Sequence, residues 1–298
     1  MNPPSDRSIL SARPFSGRLE IDQVESVGAA FSHSGTAFFV TTRDGRRFKL
    51  RECSRRGRAR SIERYVRALP DLFPRLVARD GRYLLMEALD EYRLVSRTEL
   101  VRGADRLGRM SALAHREAHT NGLAGGVRGW AVAALSRHRF FRELSLLRRR
   151  GTLPAVSCSG AARKFRSHHA RFGLPIALEL DDLHKGNVMI RESDGDLRYV
   201  DEEGIRLRPK GTGMASLLKT ATTTRTLELY RKGYAEIGDA DFITPEYTEY
   251  LLLMDAVRRV AFKVRTEGRL EKLPREIGEL REMADTVGLA LDWRFPRG

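Results

Sequence analysis

The sequence predicts an α+β chain of two lobes. A flexible tail (residues 1–18) precedes a small β-rich N-terminal lobe (19–90) and a large α-helical C-terminal lobe (91–298). Three observations predict this. Strand-type patterning runs from about Leu19 to Leu50, three- and four-residue apolar spacing takes over after Tyr92, and a polar loop lies between two short apolar segments near residues 175–200.

Taken in order, Pro3, Pro4 and Pro14 without periodicity mark the tail. Ala37–Thr42 is β-rich, Asp44-Gly45 is a tight-turn signal, and Phe48-Lys49-Leu50-Arg51 alternates beyond it, which predicts a hairpin. Ile62, Tyr65, Val66 and Leu69 recur at helical steps, so Ala59–Leu69 is expected to be a helix that Pro70 stops. Leu76–Ala78 and Tyr83–Met86 read as strands around Asp80-Gly81, and Glu87–Tyr92 as the connection between lobes. Helices are expected over Thr98–His119, ended by Asn121-Gly122, then Trp130–Arg149, Gly160–Arg171, Leu217–Ile237, Pro245–Arg265 and Leu273–Val287. Pro175–Leu180 and Leu197–Val200 read as short strands. The chain shows no internal repeat or low-complexity tract.

The bulk properties narrow the classes. With 298 residues, 41% hydrophobic and 31% charged, the chain can bury a core and stay in water. Its longest aliphatic run, Leu251–Met254, falls far short of the roughly 20 residues that span a bilayer. The first residues lack the apolar core of a signal peptide, so a cytoplasmic protein is expected. Two cysteines, Cys53 and Cys158, make neither a disulfide framework nor a common zinc site. The net charge is +15, from 46 arginines and eight lysines against 39 acidic residues. Such a surface attracts polyanions such as nucleotides, nucleic acid or anionic lipid. The arginines are nevertheless spread along the whole chain, and the densest run, Arg51–Arg60, lacks the interleaved aromatics of a base-stacking surface.

The chemistry concentrates in Leu178–Ile190 and Leu197–Glu203. Asp182, His184 and Asn187 share a polar loop in which Gly186 permits a tight turn, and Asp201 ends a strand fourteen residues after Asn187. Two hard oxygen donors held near each other suit Mg²⁺, and a further carboxylate can take a proton from a hydroxyl. Asp-x-x-x-x-Asn alone is also a spacing that ordinary turn formers give.

Asp182-Leu183-His184-Lys185-Gly186-Asn187, followed by Asp201, resembles the catalytic loop of the aminoglycoside phosphotransferase and choline kinase-like family, relatives of the protein kinases. The resemblance implies a protein-kinase-like fold and transfer of the γ-phosphoryl group of ATP, or of GTP, to an acceptor hydroxyl with Mg²⁺. It implies that Asp182 orients the hydroxyl and takes its proton, that His184 donates toward the transferring group, and that Asn187 and Asp201 hold the metal. It also implies a basic strand residue at the phosphates, which Lys49 and Arg51 both satisfy, and Glu63 as the helix carboxylate that anchors it. Gly28 and Ser32 would belong to the loop over the phosphates, and Met86, Glu87 and Leu89 to the segment that meets the adenine. The family default for the acceptor is a small amino sugar or amino alcohol.

Two departures stand out. The family's His two residues before the catalytic Asp is Leu180 here, and Asp181 replaces a small or basic residue. The loop Arg208–Leu217 is basic and glycine-containing where the family carries an Asp-Leu-Ala-type sequence, which suggests an anionic acceptor. Two other readings therefore stand beside the kinase: a pseudokinase that binds nucleotide without turnover, and a protein that engages a polyanion such as RNA or a glycolipid headgroup. His115-Arg-Glu-Ala-His119 lacks the Glu directly after the first His that the helical zinc-protease pattern needs, and His168-His169 reads as a solvated helix face.

Overall fold

The computed structural model describes residues 15, 20–26, 37–120, 122, 126–220, 224–266 and 278. The rest of the expected tail, and the helix expected over Leu273–Val287 apart from Gly278, lie outside the described residues. The described chain divides into two units. One holds the residues up to Ser96 together with Lys185–Ile205; the other holds Arg97–His184 and the residues from Arg206 onward.

The first unit is built on a five-stranded antiparallel sheet of order β1-β2-β3-β5-β4: β1 Ile21–Ser26, β2 Ala37–Thr42, β3 Arg47–Glu52, β4 Leu76–Asp80 and β5 Tyr83–Glu87. The expected hairpin turns at Asp44-Gly45, with Gly45 at φ +78° and its N–H donating to the Thr42 carbonyl at 2.8 Å. The period of two along β2 and β3 buries Phe38, Val40, Phe48 and Leu50 in one cluster with Leu85 and Phe15. Lys49 and Arg51, at the intervening positions, are thereby directed to the opposite face.

Helix α1, Arg56–Ala68, starts three residues before the expected Ala59 and packs Ala59, Ile62, Tyr65 and Val66 inward, against β4 and β5. A second sheet, of order β6-β8-β9, consists of β6 Tyr92–Leu94, β8 Val188–Arg191 and β9 Leu197–Tyr199. The strands β6 and β8 were not expected; at three and four residues they are too short for a period of two to show.

The second unit is mostly helical: α2 Arg97–Arg102, α3 Ala104–Thr120, α4 Gly126–Arg149, α5 Ala155–Phe172, α6 Thr212–Thr220, α7 Thr224–Ala235 and α8 Pro245–Arg265. The helix expected over Thr98–His119 is broken at Gly103, whose N–H donates to the Glu99 carbonyl. The helix expected over Leu217–Ile237 is two, α6 and α7, with residues 221–223 outside the described set. Helices α3 and α7 approach so closely at Gly108 and Gly233 that a Cβ on Gly233 would overlap the Asp105 carbonyl, and one on Gly108 the Tyr230 carbonyl. Elsewhere α4, α5 and α8 share an aromatic core, in which Phe140 stacks on Phe165 at 4.2 Å and Tyr250 lies 5.4 Å from Phe165.

Helix α8 spans the residues expected of it. Thr244 caps it by accepting from the Tyr247 N–H at 3.2 Å, and Pro245 occupies the first turn, where no N–H is needed. A two-stranded sheet joins β7, Ile176–Leu180, to β10, Ile205–Pro209. The basic stretch read as a loop from Arg208 thus begins inside a strand. No described helix is long and apolar enough to cross a membrane. Cys53 and Cys158 are free thiols, both buried.

Candidate active site

In the first unit, Lys49 on β3 reaches the segment that follows β9. Its Nζ lies 2.8 Å and 3.0 Å from the two carboxylate oxygens of Glu202 and donates to the Val200 carbonyl at 2.8 Å. The lysine therefore touches the residues on both sides of Asp201. Arg51, two residues on and facing the same way, takes the next carboxylate, with its Nη2 2.6 Å from Glu203 Oε2. Burial opposes the charge on Arg51, but Glu202 and Glu203 outweigh it, so the guanidinium holds its proton more tightly than usual. Arg58 on α1 ties the same turn down by donating to the Glu203 and Ile205 carbonyls.

The β8–β9 hairpin places the backbones of Asn187 and Asp201 at one end. Val188 pairs with Tyr199, and the Val200 N–H donates to the Asn187 carbonyl at 3.0 Å, so residues 187 and 201 leave the same end of one hairpin. The Asp201 carbonyl accepts from the Gly204 N–H at 2.8 Å, which closes the short 3₁₀ turn Glu202–Gly204. An amide and a carboxylate at one hairpin end suit a small hard cation whose remaining ligands are phosphate oxygens and water. Among the described residues no group of three or more His, Cys, Asp or Glu could hold a metal by itself.

Glu63 is placed otherwise than expected. It pairs with Arg67 one turn along α1 and with Arg79 on β4, while the carboxylate that anchors Lys49 is Glu202. Of the residues expected to meet the adenine, Met86 is buried on β5 opposite Lys49. The Glu87 side chain accepts from the Arg75 N–H at 2.9 Å, and the Leu89 carbonyl accepts from Tyr92 at 3.1 Å. Gly28 and Ser32 lie outside the described residues.

In the second unit, the two neighbouring aspartates after β7 diverge. Asp182 is exposed, its Oδ1 3.5 Å from the Ser216 hydroxyl, and its carbonyl accepts from the His184 N–H at 2.9 Å. Asp181 is buried and points its Oδ2 at three guanidinium groups: Arg208 at 3.3 Å, Arg206 at 3.4 Å and Arg258 at 3.7 Å. Two departures noted in the sequence, Asp181 and the basic stretch that begins at Arg208, thus meet in one ion pair, which Arg206 and Arg258 join. Burial lowers the pKa of Arg208, and Arg206 and Arg258 push the same way against the pull of Asp181.

Sequence reasoning gave no role to Glu179. This buried carboxylate accepts from the N–H groups of Gly211 at 2.6 Å and Gly213 at 2.8 Å, and meets His115 Nε2 at 2.7 Å. His115 Nδ1 lies 2.8 Å from the Tyr234 hydroxyl, so α3, α7, β7 and the start of α6 are joined through one carboxylate. A Cβ on Gly213 would sit 2.5 Å from the Leu180 carbonyl, so only glycine lets the chain pass there. The end of β7 is held to the start of α6 by this close passage and by the Glu179 bonds. The signal available in the sequence was Glu in an otherwise apolar strand, Ile-Ala-Leu-Glu-Leu, a placement that requires partners.

No protein-family model and no curated protein matches the sequence. Solved structures do. The choline kinase LicA from Streptococcus pneumoniae is similar with a TM-score of 0.64 and 16% identity, over 93% of this chain and 100% of that one. LicA in complex with AMP gives 0.62 and 15%, over 95% and 96%. The macrolide 2'-phosphotransferase MphH from Brachybacterium faecium gives 0.62 and 15%, over 93% and 98%. An aminoglycoside phosphotransferase from Alicyclobacillus acidocaldarius gives 0.61 and 14%, over 97% and 94%. At these identities the likeness establishes the fold. It is the two-lobed, kinase-like fold with a small antiparallel sheet unit and a larger helical one, as the Asp182–Asn187 resemblance implied.

Proposed function

We propose that the chain is a phosphotransferase that moves the γ-phosphoryl group of a nucleoside triphosphate, ATP by preference, to a hydroxyl of a small acceptor. The observation that carries this reading is Lys49 bound to both neighbours of Asp201, with Asn187 at the same hairpin end. A cation at a carboxylate and an amide is what a magnesium–triphosphate group requires of a protein. Folds alone do not fix function, but a kinase-like fold that also keeps Asp182, Asn187 and Asp201 supports the enzyme over a nucleotide-binding pseudokinase.

In this reading Lys49 binds the phosphates, and Glu202 holds the lysine in place. Asn187 and Asp201 hold Mg²⁺, which supplies charge neutralisation to the phosphate oxygens when bound. The acceptor oxygen bonds to the γ-phosphorus as the bond from phosphorus to the bridging oxygen breaks, and ADP carries off that electron pair. The hydroxyl proton passes to the Asp182 carboxylate, and His184 donates a hydrogen bond to the transferring group. Leu180 removes no group that takes part in this step.

Purified protein with Mg-ATP tests the reading. Slow ATP hydrolysis without acceptor is expected, reduced at least about 100-fold in Asp182→Ala, the lower end of what a general base contributes. Equal rates for both proteins at every Mg²⁺ concentration would leave the pseudokinase.

A further inference from the structure

Arginine is spread along the whole chain, but acid is not. From Gly126 to Phe172, which is helices α4 and α5 with the turn between them, the chain carries ten arginines, Lys164 and one acidic residue, Glu143. Eleven cations against one acid give this segment a net charge of +10, out of +15 for all 298 residues. Glu143 is buried and shared by Arg139 at 2.7 Å and Arg265 at 3.1 Å, and Lys164 meets Glu249 on α8. Among the described residues the other nine arginines of the segment form no ion pair. Exposed arginines of the sheet unit, by contrast, have acids at hand: Arg43 pairs with Glu20, Arg46 with Asp44 and Arg93 with Glu192.

The outer face of α4 is ordered along its axis. The inner side is Gly129, Phe140, Glu143, Leu144 and Leu147. On the other side Val127, Trp130 and Ala134 follow at steps of three and four, with Leu135 beside them. Val127 is 83% exposed, Trp130 74% and Leu135 66%, an unusual amount of apolar surface to leave in water on three turns of one helix. The stripe continues at further helical steps as His138, Arg142 and Arg149, flanked by Arg137 and Arg148, all exposed. From α5, Arg166 lies over the Phe141 ring at 5.6 Å and adds to the same basic surface.

The two parts of this stripe suit the two layers of a lipid surface. Tryptophan and aliphatic side chains favour the boundary between headgroups and acyl chains, and arginines favour the anionic phosphates above it. A single-stranded nucleic acid would want aromatic rings interleaved with the cations, but Trp130 is the one large aromatic side chain exposed on the stripe, and Val127 and Leu135 give bases nothing to stack on. A second copy of the chain would set one cationic stripe against another. We propose that the outer face of α4 docks on an anionic lipid surface. Val127, Trp130 and Leu135 enter among the headgroups, and Arg137, Arg142 and Arg149 lie against lipid phosphates. This docking does not depend on the phosphotransferase reading.

Vesicle flotation tests the proposal on the whole chain, with vesicles of phosphatidylcholine alone and of phosphatidylcholine mixed with an equal part of phosphatidylglycerol. Wild type is expected to float with the anionic vesicles in low salt, not with the neutral ones, and to be released by high salt. Trp130→Ala, and separately Arg142→Glu combined with Arg149→Glu, should each weaken partitioning about tenfold or more. Melting should not change, because all three side chains are exposed. In Trp293→Phe, which leaves Trp130 as the only tryptophan, the emission should shift to the blue on anionic vesicles.

No flotation with anionic vesicles, or flotation that neither variant weakens, overturns the proposal. So does an unshifted Trp130 emission in floated protein. Binding of a polyuridine oligonucleotide that the double arginine variant abolishes, without flotation, would give the face to nucleic acid instead. A wild-type dimer in sedimentation velocity that Trp130→Ala converts to monomer, again without flotation, would give it to a second copy of the chain.

Discussion

Lys49 Nζ stands 2.8 Å from Glu202 Oε1, and that carboxylate is wholly buried. The pair joins the middle of β3 to the turn that follows β9, across more than 150 residues of sequence. A buried pair broken on one side leaves the other charge desolvated and unmatched, at a cost of about 3–5 kcal/mol. Lys49→Met should therefore destabilise the chain by an amount of that order in urea unfolding. Adding Glu202→Leu should recover most of the loss in stability and none of the nucleotide binding. A double variant no more stable than Lys49→Met would show that the pair does not couple.

Asp201→Asn tests the metal assignment separately from the fold. It exchanges a charged oxygen donor for a neutral one at nearly constant shape, so melting should change little. The Mg²⁺ concentration that gives half-maximal ATP hydrolysis should rise at least about tenfold, the effect of roughly 1.4 kcal/mol at the ion. An unchanged magnesium dependence would remove Asp201 from the metal site.

Asp255 makes the fold sensitive to acid. Burial by itself would raise its pKa, but Lys219, Arg258 and Arg259 hold it down to about 2, against an ordinary 3.8. The folded chain takes up this proton less readily than the unfolded one. The stabilisation is therefore complete above about pH 4 and drains away as the pH falls toward 2, by roughly 2 kcal/mol in all. Asp255→Asn should flatten the melting temperature over that window; a wild-type curve as flat as the variant's would contradict the assignment.

Gly233→Ala should unfold part of the helical unit. Alanine is the better helix former by about 1 kcal/mol. Here its methyl would overlap the Asp105 carbonyl, and α3 and α7 would have to separate. A net loss of about 2 kcal/mol or more is expected from overpacking. A rise in melting temperature would mean the helices lie farther apart than described.

The resemblance that implied the fold was legible because its information is local. Asp182, His184, Gly186, Asn187 and Asp201 lie within twenty residues, and their spacing survives without any knowledge of packing. The anchor of Lys49 was not legible. Glu63 sits where a helix carboxylate was expected, but Arg67 one turn away and Arg79 compete for it, a direct effect of 46 arginines in one chain. Glu202 and Glu203, adjacent acids after a strand, had no role assigned to them from the sequence, because it is the sheet that brings Lys49 and Arg51 to them.

The same holds for Asp181. Its partners lie 25, 27 and 77 positions downstream, and two of them stand on β10, a strand whose last residues, Arg208 and Pro209, were read as the start of a loop. Breaks such as Gly103 escaped because the apolar period continues through them.

The chain leaves its sheet unit after Ser96 and returns to it only for Lys185–Ile205. A gene fragment that ends at Ser96 would lack Glu202, Asn187 and Asp201, and would leave Lys49 without its counter-charge. Recombination between relatives at that linear border would mismatch the lysine of one parent with the acids of the other. Exchange of the whole sheet unit between relatives would have to transplant two separate stretches of DNA together.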